Sequence, residues 1–337
     1  MTLVNELDNR FYMPAEWEKH DRCWMAWPRR DGFNSKATKE NYAAVAKVIS
    51  EFEPVSMVTH PDDVSEAQQL LGNHAEVIEI PNDDAWARDS GPNFLIDGKG
   101  NIAGSCFSFN CWGENYFPYD KDAKMAERIM KHEGFQYIRS SLKAEGGGIT
   151  VDGEGTVITT ESCFLNPNRN PGWTKKEVEA ELSYCLGVEK VIWLPGNVDE
   201  DETNGHVDGL AAFARAGVVL MEKAFSSEHP FYHILNENIA AMTGQTDAKG
   251  REIDIAFIED AWGAEEKGDR FCLSYINAYL ANDAVIMPKY NLQTDERARM
   301  VYEKLYPDRK IVQVQIDDIA QGGGGIHCIT QQQPSAK

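Results

Sequence analysis

The chain has 337 residues, 42% of them apolar and 26% charged, with a formal charge of −21 at pH 7. Such a composition belongs to a globular protein with a large core. The negative charge excludes nucleic acid and anionic membranes as expected partners and suits a small cationic one.

The seven cysteines are odd in number, scattered and without a C-x-x-C pair, so neither a disulfide scaffold nor a structural zinc site is expected. The first residues lack a signal-peptide pattern and no run of 18 apolar residues occurs, which predicts a cytoplasmic protein with reduced thiols and no membrane span.

Along the chain, helix signals recur with a strand after each. Residues 40–52 precede a strand at 55–60, 63–71 precede 76–80, and 121–132 precede 135–139. Thr174-x-x-Glu177 is a capping box, Val178, Leu182 and Cys185 form an apolar stripe, and Gly187 stops that helix before strand Lys190–Leu194. His229-Pro230 opens a helix that Gly244 closes ahead of 253–258, and Thr294 caps 295–306 ahead of Lys310–Gln315. With 40–52 and 55–60 counted as an extra pair, five helices begin near 63, 121, 174, 229 and 294, a loose period of about 55–65 residues. Asp-Gly turns at Asp97-Gly98 and Asp152-Gly153 add hairpins between units. The pattern predicts an α/β protein made by radial repetition of five small mixed sheets and helices around an axis. A continuous doubly wound sheet is the alternative, and the hairpins count against it because parallel crossovers cannot use so short a turn.

The polar segments after the strands carry the unusual residues. They are 82–92 with Asp89, Glu145-Gly-Gly-Gly, Glu202-Thr-Asn-Gly-His206-Val-Asp208, and Gly322-Gly-Gly-Gly-Ile-His-Cys328; in the fourth unit, 274–277 offers no candidate. Four glycines ahead of a thiol read as backbone that bends sharply or approaches a ligand closely. They are no dinucleotide loop, since no helix and acidic partner can follow in the nine residues after Cys328. Rotational repetition brings the segments together, giving one thiol, one histidine and three carboxylates with no matching cation of their own. A thiol needs a lowered pKa or a base, and histidine can supply and take a proton near neutrality. Crowded carboxylates call for a bound cation, and guanidinium matches two of them bidentately while offering an electrophilic carbon. Each residue also has a bland reading. Asp89 could pair with Arg88, His206 and Asp208 could be half a metal site, and Trp86 and Trp112 could be core.

Met13-Pro-Ala-Glu-Trp-Glu, Trp24-Met-Ala-Trp-Pro28, Asp84-Ala-Trp-Ala-Arg-Asp89, residues 161–171, Glu202 to Asp208 and Gly322 to Gln332 together resemble the agmatine deiminases. These belong to the guanidine-modifying superfamily that also holds arginine deiminases, amidinotransferases and peptidylarginine deiminases. The resemblance runs almost end to end. It implies a pentein, a fivefold pseudosymmetric α/β propeller, as a single catalytic domain over 1–337, with 331–337 expected as a disordered tail. It implies Cys328 as nucleophile, His206 as acid then base, Asp89 and Asp208 on the guanidinium, Glu145 in support, Glu202 at the distal ammonium, and Trp86 and Trp112 along the aliphatic chain. The implied reaction is agmatine plus water to N-carbamoylputrescine and ammonia, towards putrescine, with no metal or organic cofactor. Homo-oligomerisation stays open. Glycine at 325 departs from similar sequences, which often carry a polar residue such as Asn there, and that puts a side-chain contact beside Cys328 in question. Arg88 is the only arginine in the polar site segments, which favours agmatine over free arginine. Another guanidine substrate, or a non-catalytic acidic repeat scaffold, is the competing reading.

Overall fold

The structure, a computed structural model, describes Val4, Leu7 and residues 11–198, 202–264 and 270–336. Unit one runs β1 (His20–Ala26), α1 (Lys36–Ile49), β2 (Val55–Thr59), α2 (Val64–Leu71) and β3 (Glu76–Glu79). After the single turn α3 (Ala87–Ser90), unit two holds β4 (Asn93–Ile96), β5 (Ile102–Cys106), the turn α4 (Cys111–Glu114), α5 (Met125–Glu133) and β6 (Gln136–Arg139). Unit three holds β7 (Thr150–Val151), β8 (Thr156–Thr160), α6 (Glu161–Phe164), α7 (Lys175–Leu186) and β9 (Lys190–Leu194). Unit four is β10 (Ala211–Arg215), β11 (Val218–Glu222), α8 (Tyr232–Met242) and β12 (Asp254–Ile258). Unit five is β13 (Tyr279–Ala281), β14 (Ala284–Lys289), α9 (Gln293–Leu305) and β15 (Lys310–Gln315), followed by α10 (Asp317–Ala320). The last strand, β16 (Gln331–Pro334), returns to unit one and pairs antiparallel with β1.

Units two to five share one plan: an antiparallel strand pair, a helical crossover, and a third strand parallel to the second. Unit one meets the same plan as β16, β1, α1 and β2, with β3 added parallel to β2. The extra pair is therefore α2 with β3, and the repeat member is α1 with β2, the reverse of the assignment expected from helix spacing. A doubly wound sheet is ruled out, because the strands fall into five separate sheets.

Local chemistry explains the hairpins. The Asp97 carboxylate accepts the N–H groups of Lys99 (2.8 Å) and Asn101 (3.1 Å), and Asp152 does the same for Glu154 and Thr156 (both 2.8 Å). Gly98 and Gly153 sit at φ 65° and 71°, where a side chain would be strained. The capping box of α7 forms as expected, and Val178, Leu182 and Cys185 are buried under it. Helix α1 begins four residues earlier than expected because Ser35 caps it through the Thr38 N–H. Thr294 lies inside α9 rather than capping it, with its hydroxyl on the Tyr275 phenol at 2.7 Å.

The expected disordered tail is corrected for all of its described part. Gln331, Gln332 and Gln333 are buried in β16, where the Gln333 side-chain oxygen accepts the Trp24 indole N–H at 2.8 Å. A glutamine run carries no apolar periodicity, so its burial is invisible until β1 is placed beside it. Lys337 lies outside the described residues.

Candidate active site

Each polar segment ends just before the first strand of a unit. Asp89, Gly147, Asp208, Asn277 and Cys328 stand two to four residues ahead of β4, β7, β10, β13 and β16. β16 lies against β4 and β7 against β10, so the segments converge. Gly147 shows how tightly. A Cβ there would come 2.6 Å from His206 Nδ1, 2.9 Å from Asp89 Oδ1 and 3.0 Å from Asp208 Oδ2. The glycine is required by this crowding rather than by its torsion angles.

Asp89 does not pair with Arg88. Its Oδ1 accepts the Gly147 N–H (3.0 Å) and its Oδ2 the Trp112 indole N–H (2.8 Å). Trp112 is presented by α4, where Cys111, Trp112 and Glu114 all take left-handed φ of 54–65°, a strained turn of the kind found at functional sites. Burial pushes the Asp89 carboxyl up to about 6, with His206 opposing and Asp208 and Glu145 adding to the rise. Arg88 turns instead to Glu16 (3.3 Å) and the His327 carbonyl (3.3 Å).

Glu145 is fully buried and accepts two bonds from Arg169 Nε (2.9 and 3.1 Å) while its Oε2 meets His206 Nε2 at 3.1 Å. Burial alone would raise its pKa, but Arg169 and His206 hold it down at about 2. His206 Nδ1 has no hydrogen-bond partner among the described residues and stands 3.9 Å from Asp89 Oδ1. Burial lowers the His206 pKa, yet Asp89, Cys163 and Glu145 together carry it well above the usual imidazole range.

Asp208 Oδ2 accepts from His327 Nδ1 (2.8 Å) and from the Cys328 thiol (3.5 Å), and His327 Nε2 reaches Glu16 at 2.8 Å. Against burial, which would raise it, the His327 hydrogen bond and charge lower the Asp208 pKa. The Cys328 thiol is pushed up by burial, then by Asp208 and Asp89.

Trp86, Asp89, Trp112, Glu202 and Cys328 line one slot, with Arg30 at its edge. Trp86 is stacked on Phe33, with ring centres 5.1 Å apart, so it is both core and wall. Glu202 is held in place: its Oε1 accepts the Tyr116 phenol at 2.6 Å, and Arg270 lies 3.9 Å from Oε2. Residues 199–201, just ahead of Glu202, lie outside the described residues. A second cavity of about 380 Å³ opens from His206, Asp208, Asn277 and Cys328 towards His229 and Asp260.

All eight predicted residues fall in this region. Two expectations need correction. A cation does match one of the three carboxylates, Arg169 on Glu145, while Arg88 pairs with Glu16; Asp89 and Asp208 are left without an arginine or lysine partner among the described residues. Arg88 is also not the pocket's arginine, since Arg30 and Arg270 border it; Arg30 is engaged by Asp84 at 3.0 Å. Sequence reasoning missed Glu16, Arg169, Asn277 and His327 as site residues. Only Asn277 could have been found, from the repeat position it shares with Asp89, Asp208 and Cys328. As for a metal, Glu145, Cys163 and His206 are the one trio of donors among the described residues that lies close enough, within 4.8 Å. Arg169 already occupies both Glu145 oxygens, so a further cation there is disfavoured.

A family model described as Porphyromonas-type peptidyl-arginine deiminase matches residues 12–334. A Legionella pneumophila protein named "Putative agmatine deiminase" is 42% identical over 332 residues, 97% of this chain and 95% of that one. One of the same name from Streptococcus mutans is 38% identical over 354 residues, covering 96% of each. The solved agmatine deiminase of Enterococcus faecalis superposes with a TM-score of 0.95 over the whole of both chains at 35% identity. A Porphyromonas gingivalis structure named "Putative Arginine Deiminase" gives 0.88 at 26% identity, over 97% and 99% of the two chains.

Proposed function

The chain belongs to the Porphyromonas-type peptidyl-arginine deiminase family, and on that premise we propose that it hydrolyses agmatine to N-carbamoylputrescine and ammonia. The fold is the expected pentein class, built from five small mixed sheets. The observation that carries the reading is a thiol at 3.5 Å from Asp208 that lines the same slot as Asp89, so that two acids share the site with the buried sulfur. A guanidinium bound between those acids meets N–H acceptors on both sides and places its carbon at the sulfur.

In this reading the active form pairs a Cys328 thiolate, its proton released to solvent, with protonated His206. A cation bound beside a thiolate stabilises it. Sulfur attacks the guanidinium carbon, a C–S bond forms, and the positive charge of the substrate is consumed. His206 gives its proton to one NH2 group, the C–N bond breaks, and ammonia leaves an amidino-cysteine. Neutral His206 then takes a proton from water while the hydroxide adds to that carbon. Collapse breaks the C–S bond and returns the thiolate; the hydroxyl proton departs with ammonia as ammonium, leaving the ureido product. Glu145, ionised against Arg169, keeps His206 protonated for the first step.

Glu202 supports agmatine over arginine, because a carboxylate at the end of the slot attracts an ammonium and repels an α-carboxylate. Trp86 and Trp112 give the aliphatic chain apolar walls. The same reading makes the chain one catalytic domain, cytoplasmic and needing no cofactor; among the described residues no helix is long and apolar enough to cross a membrane. Purified protein is incubated in parallel with agmatine, arginine and a peptidyl-arginine, and ammonia and ureido product are measured. Ammonia from agmatine in clear preference supports the proposal. Turnover of another of the three moves the substrate, and turnover of none leaves an inactive scaffold.

A further inference from the structure

The fivefold plan leaves one question at the thiol. Four of the five converging segments supply a residue already given a role, and the remaining one, between β12 and β13, supplies Asn277. Asn277 is 2% exposed, and its side chain makes two contacts with one residue: Nδ2 lies 3.1 Å from Cys328 Sγ, and Oδ1 accepts the Cys328 backbone N–H at 3.2 Å. Its own backbone carbonyl accepts the His327 N–H at 3.2 Å. The residue is thus tied by three bonds to the His327-Cys328 step, two of them from its side-chain amide, and one of the amide N–H groups points at sulfur.

We propose that Asn277 is a further catalytic residue, whose amide donates a hydrogen bond to the attacking sulfur and holds it as the thiolate. This rests on the deiminase reading, and it answers a difficulty within that reading. The groups around the sulfur are hostile to its charge: Asp208 and Asp89 from two other units and Cys272 from a third all act against ionisation, with a backbone contact from Gly325 opposing them. Tyr42 also feels the sulfur's charge and is itself held neutral by burial. A lysine or arginine at this position would stabilise a thiolate more strongly, but it would be captured by the two aspartates and would repel a guanidinium substrate. A neutral amide avoids both problems. It favours the charged form of sulfur through one donor and leaves the carboxylates free for the substrate.

Gly325 fits the same account. A Cβ at 325 would come 2.6 Å from Asn277 Oδ1 and 2.9 Å from its Cγ, so any side chain there displaces the amide. Glycine at 325 does not leave the thiol without a side-chain contact; it makes room for one supplied from residue 277.

The test reads the thiol directly, without substrate. Unliganded wild type, Asn277→Ala and Gly325→Ala are alkylated with iodoacetamide from pH 6 to 10, and the Cys328 peptide is quantified by mass spectrometry. Thermal melts establish that each variant is folded. Losing a charge-assisted hydrogen bond lowers the Cys328 alkylation rate at pH 7.5 by about tenfold to a hundredfold and moves its pH profile up by about one to two units. Gly325→Ala shifts the profile in the same direction, and it decides the matter alone if Asn277→Ala fails to fold. A folded Asn277→Ala, or failing that a folded Gly325→Ala, with the wild-type rate and profile overturns the inference. A merely structural asparagine lowers the melting temperature without moving the profile. Because alkylation needs no agmatine, a wild type that fails to turn over agmatine refutes the substrate reading while the alkylation profile still judges Asn277.

Discussion

Glu145→Gln separates a structural ion pair from a catalytic one. Glu145 and Arg169 both have side chains at 0% exposure, joined through Arg169 Nε at 2.9 Å. Removing one partner of a buried pair leaves the other charge uncompensated and costs roughly 3–5 kcal/mol. The depression of the Glu145 pKa from 4.5 to about 2 points to the same order, about 3 kcal/mol. For 337 residues at roughly 2 cal/mol/K each, the unfolding entropy near the midpoint is about 0.7 kcal/mol/K, so Tm falls by about 4–7 °C. The pKa is depressed, so this stabilisation is present above about 4.5 and is lost as pH falls towards 2; the gap between variant and wild type closes over that window. Activity falls too, because Glu145 is among the groups that keep His206 protonated. Arg169→Met added to Glu145→Gln recovers much of the Tm but not the activity, since no buried charge is then left unpaired. The assay is thermal unfolding by circular dichroism at pH 7 and at steps down to pH 3, with agmatine kinetics alongside. A Tm loss under 2 °C at pH 7 refutes the reasoning and means that Asn204 and Thr203, which also hold Arg169 at 2.7 and 2.8 Å, suffice to anchor it.

Cys328→Ser abolishes turnover with the fold intact, since serine is far less acidic; activity within tenfold of wild type removes Cys328 as nucleophile. Asp89→Asn and Asp208→Asn each lower kcat/KM for agmatine by at least about ten- to a hundredfold, the worth of a charged hydrogen bond, and a smaller loss in steady-state kinetics takes that residue off the guanidinium. Stability peaks on the acid side of neutrality: Asp84 and Asp89 near 6 and Asp122 near 8 are raised by burial, so protonation favours the folded state as pH falls from about 8, until Glu16 and Glu145, both held near 2, lose ionisation below about 4.5. A Tm that rises steadily from pH 5 to 8 contradicts this. Glu202→Gln raises KM for agmatine and narrows the preference over arginine by about tenfold, a third of the roughly 4 kcal/mol between unit charges at 4 Å; an unchanged preference leaves Glu202 serving Tyr116 and Arg270 instead.

Local signals in the sequence determined what local chemistry controls. The capping box at Thr174 and Glu177, the Asp-Gly hairpins at 97 and 152, and the strand Lys190–Leu194 each depend on residues within a few positions, and each formed as read. The recurring order of helix, strand and polar segment was enough to imply five units and to bring Asp89, Glu145, His206, Asp208 and Cys328 together. Only the tertiary structure decided what joins residues far apart in the chain. The closing strand β16 is a run of glutamines, and Trp24 with Gln333, 309 positions away, tells where it belongs. The unit to which α1 belongs depends on that closure, so spacing alone assigned it wrongly. The charge network behind the site, Arg88–Glu16–His327–Asp208, joins the two ends of the chain across 311 positions, and no periodicity or cap encodes it. Polar side chains pair by direction and distance once the backbone is placed. A sequence therefore displays which charges exist, but only burial and contact decide which are neutralised and which, like Asp89, are left without an arginine or lysine partner among the described residues.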